Sequence, residues 1–117
     1  MIAVRLDSDR SGLFCACCAS GHAGYNRQGT DIVCAAVSVL LRTAIHSLSA
    51  VPGIKVTADA PERGNVSFRV CMEQTPLQDA AAYMLRYART FLANGFSDLA
   101  AEYPDYVSFR EHIIEIE

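Results

Sequence analysis

A cysteine and a histidine stand twelve positions apart in a setting that suits nucleophilic chemistry. From Ser20 to Ser38 the chain reads Ser-Gly-His-Ala-Gly-Tyr-Asn-Arg-Gln-Gly-Thr-Asp-Ile-Val-Cys-Ala-Ala-Val-Ser. Gly21, Gly24 and Gly29 mark a loop able to approach another chain closely, and the loop carries His22. Thr30 reads as the N-cap of the apolar helix that follows, and Asp31 places a carboxylate at its positive end. Cys34 then falls in the first helical turn, a position where a thiolate is favoured. The imidazole of His22 suits proton transfer near neutrality. A nucleophile and a base are therefore in place, and this stretch reads as an active site.

Each of these residues also has a plainer reading. A lone helical cysteine is more often part of a core, and a loop histidine can simply cap carbonyls. The position of Cys34 beside Asp31 and behind the His-bearing loop argues for catalysis, because a loop returning to an adjacent helix start brings its ends together. Two roles suit Asp31, which either orients His22 or caps the helix. Ser38 lies one turn beyond Cys34, where its hydroxyl reaches the thiol or a substrate carbonyl, or else bonds back to its own helix. The attacked carbonyl's developing charge would be held by backbone N–H groups at the helix start or in the glycine loop.

The elements that must position these residues follow from periodicity. Ile2, Val4 and Leu6 alternate with Ala3, Arg5 and Asp7 as a half-buried strand. After a turn-rich stretch from Ser8 to Gly12, Leu13 to Ala19 forms a second strand. Leu13, Cys15, Cys17 and Ala19 should share one face, with Phe14, Ala16 and Cys18 on the other. Both faces are apolar or small, so this strand should be central and covered on both sides. A helix from about Asp31 to Ser49 follows, with a stripe of Ile32, Val33, Ala36, Val37, Leu40, Ala44 and Leu48. Val39, Leu41 and Ile45 lie outside that stripe, so a second cover is expected, and another subunit would supply it.

Ile54, Val56 and Ala58 alternate as a third strand, and Asp59 to Asn65 reads as a turn. Val66, Phe68, Val70 and Met72 alternate as a fourth. Thr75-Pro76-Leu77-Gln78 reads as a helix start. Leu77, Ala81, Met84, Leu85, Ala88, Phe91 and Leu92 make that helix's apolar face, and Asn94-Gly95 its stop. Ser97 to Tyr103 adds a turn or two, and Tyr106 to Ile116 a last strand with a bulge at Ile113-Ile114. The expected fold is α+β: one domain over residues 1–117, a two-layer α/β sandwich with a mixed or mostly antiparallel sheet and two main helices.

Composition narrows the functions. With 117 residues, 51% hydrophobic and 20% charged, the chain can build a real core. No signal peptide is read at the start. The longest apolar run, Ile32 to Leu41, ends at Arg42, short of the ~20 residues a bilayer needs. A cytoplasmic protein with no membrane contact is expected, its five cysteines reduced. Net charge is −3 with scattered basic residues, so no direct nucleic-acid binding is expected, whereas a basic peptide suits the surface. Cys15 and Cys18 have zinc-knuckle spacing but face opposite sides of a strand, and no second pair follows. No metal and no cofactor are expected, and His46 and His112 read as surface or packing residues.

The motif also carries a resemblance. Gly21-His22-Ala23-Gly24-Tyr25, then Gly29, then Asp31-Ile32-Val33-Cys34-Ala35-Ala36-Val37-Ser38 resembles the signature of the ribosomal-processing cysteine protease family, and Tyr103-Pro104 with Tyr106 extends it more weakly. The resemblance implies a His22/Cys34 dyad that removes the N-terminal extension of a large-subunit ribosomal protein, in a homodimer. Gly21, Gly24, Asp31 and Ser38 would support the dyad or bind substrate. Cys15, Cys17 and Cys18 are not part of the family pattern. Two rivals stand beside this reading: a non-catalytic ribosome-associated peptide-binding module, and a thiol-dependent hydrolase or transferase of small acyl compounds.

Overall fold

The computed structural model describes residues 1–21, 31–62, 65–74 and 76–115. These residues form β1 (Ile2–Ser8), β2 (Phe14–Ser20), α1 (Ile32–Ser49), β3 (Ile54–Glu62), β4 (Asn65–Met72), α2 (Gln78–Glu102) and β5 (Val107–Ile113). The strands make one sheet in the order β3-β4-β2-β1-β5. All neighbours are antiparallel except β1 and β5, so the sheet is mixed and β2 is its centre, as expected.

This topology puts both helices on one face. The β2→β3 and β4→β5 connections leave oppositely directed strands and travel in opposite directions across the sheet. A right-handed crossover in each case lands on the same side. The core lies between, and it includes Ile2, Val4 and Leu6 of β1, Val33, Val37 and Leu41 of α1, and Leu85, Leu92 and Phe96 of α2. Phe14 and Phe68 pack at 5.4 Å between ring centres. Each such buried side chain contributes about 1.5–3 kcal/mol relative to exposure.

The face assignment in β2 is corrected by a bulge. Ser8 pairs with Phe14 but Asp7 pairs with Ala16, so Cys15 is the extra residue. Phe14 therefore joins Cys17 and Ala19 in the core instead of facing away from them. No second layer covers the other face among the described residues. Ala16 and Cys18 are half-buried there, in a shallow cavity of about 290 Å³ whose rim includes Arg5 and Arg69. The hairpin turn before the bulge is held by Asp9, whose Oδ1 accepts from the Ser11 amide at 2.9 Å, the Ser11 hydroxyl at 2.6 Å and the Leu13 amide at 3.0 Å. Burial pushes Asp9 up, but these hydrogen bonds and the Arg86 charge outweigh it and leave the carboxyl below its ordinary value. The turn thus contributes stability above the carboxylate range, which is lost as pH falls through that lowered value.

The helices depart from expectation in three ways. In α1, Leu41 is buried while Ile32 is 55% exposed, so the stripe is rotated toward Val33, Val37, Leu41 and Leu48. α1 is long and apolar enough to cross a bilayer, and its inward stripe is packed into the core. α2 starts at Gln78 with Leu77 as N-cap and no side-chain cap bond, so Pro76 precedes the helix, and Thr75 lies outside the described residues. α2 also runs straight through Asn94-Gly95. A Cβ on Gly95 would stand 3.2 Å from Leu40 Cδ1, so this glycine serves the close approach of α1 and not a helix stop.

Strand ends differ as well. β3 continues through Pro61, which an edge strand tolerates, and its pairing with β4 is irregular between Asp59 and Glu62. β5 ends at Ile113 and shows no bulge there. The Ile114 amide instead donates to the Ser8 carbonyl at 2.8 Å.

Candidate active site

The route to the site starts where β2 ends. Gly21 has φ +96°, a backbone most side chains avoid, and a Cβ added there would stand 2.4 Å from the Met1 carbonyl oxygen. Only glycine allows the chain to leave the sheet so close to the start of β1. This fixes how the chain leaves β2 just before His22, and it is a structural reason for a residue read from sequence as supporting the site. His22 and Gly24, with Tyr25, Gly29 and Thr30, lie outside the described residues.

The chain is described again at Asp31, which is 9% exposed and is the N-cap of α1. Its Oδ1 accepts from the Val33 amide at 2.9 Å and from the Cys34 amide at 3.0 Å. Its carbonyl accepts from the Ala35 amide at 3.1 Å, closing the first turn. The N-cap is therefore Asp31, whose single carboxylate oxygen reaches both amides at once, one position beyond the expected Thr30. Asp31 thus caps the helix, and the orienting role weighed for it concerns His22, which lies outside the described residues.

That cap also fixes Cys34, the nucleophile expected from the sequence. Cys34 is half-buried, packs against the core, and has its own backbone amide held by Asp31. The Val33 and Cys34 amides are thereby engaged, so these two expected helix-start donors are occupied. Ser38 is exposed one turn further along α1.

The other thiols occupy different ground. Cys17 is 2% exposed, and burial, then Cys18 and the Asp7 charge, push it up to about 12. Cys15 is likewise raised, first by burial and then by Asp9, while its thiol points to the Leu13 carbonyl at 3.5 Å. Cys18 is half-buried and Cys71 exposed. All five form no disulfide. No set of three or more ligand-type side chains is gathered for a metal ion among the described residues. Sequence reasoning misplaced one more feature. Leu77, Met84 and Phe91, expected on the apolar face of α2, are exposed, with Tyr83 and Tyr87 beside them. The Tyr83, Tyr87, Phe91 spacing of four residues was the signal.

Comparison with known proteins now adds to this geometry. The chain is similar to the essential ribosomal processing protease Prp from S. aureus with a covalently linked product peptide: TM-score 0.77, 19% identity, 96% of this chain and 100% of that one covered. The same protease with a substrate peptide gives 0.74 at 17% identity, covering 96% and 100%. SMU.848 from Streptococcus mutans gives 0.74 at 23% identity, covering 97% and 96%. No curated protein matches the chain in sequence. The family model described as cysteine protease Prp matches residues 1–108. That match covers most of the chain, and the chain belongs to the cysteine protease Prp family.

Proposed function

We propose that this cysteine protease removes the N-terminal extension of a large-subunit ribosomal protein, using Cys34 as nucleophile and His22 as base. The observation that supports the reading is the Asp31 cap, which fixes the backbone of Cys34 in the first turn of α1. His22 takes the Cys34 thiol proton, and the sulfur attacks the scissile carbonyl carbon. The C–N bond breaks as His22 returns the proton to the leaving amine, leaving a thioester on Cys34. Water, giving a proton to His22, then releases the acid and regenerates the thiol. With the Val33 and Cys34 amides bound to Asp31, the glycine loop supplies oxyanion donors.

The enzyme is proposed to work in the cytoplasm as a homodimer, on a basic extended peptide, with no nucleic acid, membrane or cofactor in the reaction. The test is incubation with the basic N-terminal peptide of the ribosomal protein, with products weighed by mass spectrometry. Two fragments at one bond are expected, and far less cleavage from the His22→Ala chain. Binding without cleavage would replace this reading with that of a peptide-binding module, and turnover indifferent to peptide length would favour a small-acyl hydrolase.

A further inference from the structure

The face of the sheet turned away from the helices gathers cations that the chain order scatters. Lys55 on β3, Arg69 on β4, Arg5 on β1 and Arg110 on β5 all stand on it and all are exposed. Thr57 and Ala16 pair with Arg69 from either side, Cys18 pairs with Arg5, and Arg5 pairs with Arg110. Lys55 lies one alternation before Thr57. The four cations therefore follow a diagonal across the sheet, about 24 Å from end to end at ordinary strand spacing. Midway, the side chains shrink to Ala16 and Cys18 in the hollow of about 290 Å³, which Thr57 and Ser67 also line. Arg5 is paired with Asp7 at 3.1 Å, whereas Lys55, Arg69 and Arg110 make no ion pair among the described residues. Asp7 and Asp59 stand on opposite sides of the diagonal.

We propose that this face binds single-stranded RNA through its phosphates, the backbone lying along the diagonal from Lys55 to Arg110. Cations in single file match a single line of phosphates, and Asp7 and Asp59 on the flanks disfavour the second strand of a duplex. Guanidinium forks suit phosphate oxygens, and the small floor lets a phosphate approach closely. No exposed large apolar side chain stands among these residues, so the anchor that a docked protein needs is missing. No aromatic ring stands among them either, so bases find no stacking platform and binding is independent of sequence. The net charge of −3 does not oppose this, because acids such as Asp79, Asp98 and Glu102 lie on α2, across the sheet. Cys34 is also on the helix side, so RNA held here does not compete with a peptide at that thiol. The face is a tether that holds the protease near RNA-bound protein, and it stands independently of the cleavage reading.

Fluorescence anisotropy of a labelled oligouridylate of about twelve nucleotides, titrated with the full chain between about 50 and 200 mM salt, decides this. Affinity should fall with a log–log slope of about −2, the counterion release of three unpaired cations at about −0.7 each. Arg69→Ala and Arg110→Ala should each reduce the slope to about −1.4. Arg69→Glu should abolish binding while circular dichroism and cleavage of a free peptide stay unchanged. Arg42→Ala, which removes an exposed cation on α1, should leave both slope and affinity as they were. No binding at the lowest salt overturns the proposal. Equal losses from Arg42→Ala and Arg69→Ala overturn the face, since overall charge would then be the cause. Polyglutamate bound as tightly as the RNA overturns the phosphate assignment. Failure of peptide cleavage in the wild-type chain bears on the protease reading alone.

Discussion

Cys17 and Cys34 are the same side chain in two opposite settings. Cys17 sits in the central strand, 2% exposed, between β1 and β4. Burial, then Cys18 and the Asp7 charge, raise its thiol to about 12. Cys34 sits where a helix begins, half-buried, its amide held by the Asp31 carboxylate. The difference teaches how far the backbone sets a thiol's surroundings: Cys17 is packed into the core of the sheet, whereas Cys34 stands in the first turn of a capped helix, where a thiolate is favoured.

The widest contrast comes from exchanging sulfur for oxygen at each site. Cys34→Ser should lower turnover by about 10⁴-fold or more while leaving the unfolding transition unmoved, because the volume change is small at a half-buried position. Cys17→Ser should do the reverse. It places a hydroxyl in the core at a cost of about 1–3 kcal/mol, read as a lower denaturation midpoint with turnover preserved per folded molecule. If both substitutions affect only stability, Cys34 is a core residue too.

A smaller effect separates the cap from the nucleophile. Asp31→Ala frees the Val33 and Cys34 amides and should cost about 0.5–2 kcal/mol, with a fall in turnover from the loosened first turn. Asp31→Asn can still accept both hydrogen bonds and should restore most of the stability. Should Asp31→Asn recover stability but not turnover, the carboxylate charge acts on the chemistry as well.

Much of this was legible before any coordinates. The alternation in β1 and β4 shows in the residues themselves, because a half-buried strand leaves a period of two. The active-site stretch was legible for a different reason, as residue types that do chemistry were set around a helix start. Three features were not. The bulge at Cys15 depends on pairing with β1, which no local pattern encodes. Gly95 reads as a stop on propensity grounds, and only the distant Leu40 explains why the helix continues past it. The stripe on α2 hid within a helix apolar on two sides, where periodicity alone cannot say which side meets the sheet. Gly21 shows the same limit from the other direction. Its positive φ could be guessed, but the Met1 carbonyl beside it belongs to the far end of another strand.

The most direct test of position over type uses exposure as the competing explanation. Cys71 is exposed at the sheet surface, whereas Cys34 is only half-exposed, so access alone predicts that limiting iodoacetamide labels Cys71 first. The account here predicts Cys34 first at neutral pH and Cys17 last, read by peptide mapping of the alkylated native protein. It also predicts that His22→Ala slows labelling at Cys34 and leaves Cys71 unchanged. Labelling that follows exposure, with Cys71 ahead of Cys34 and no response to His22→Ala, would contradict it.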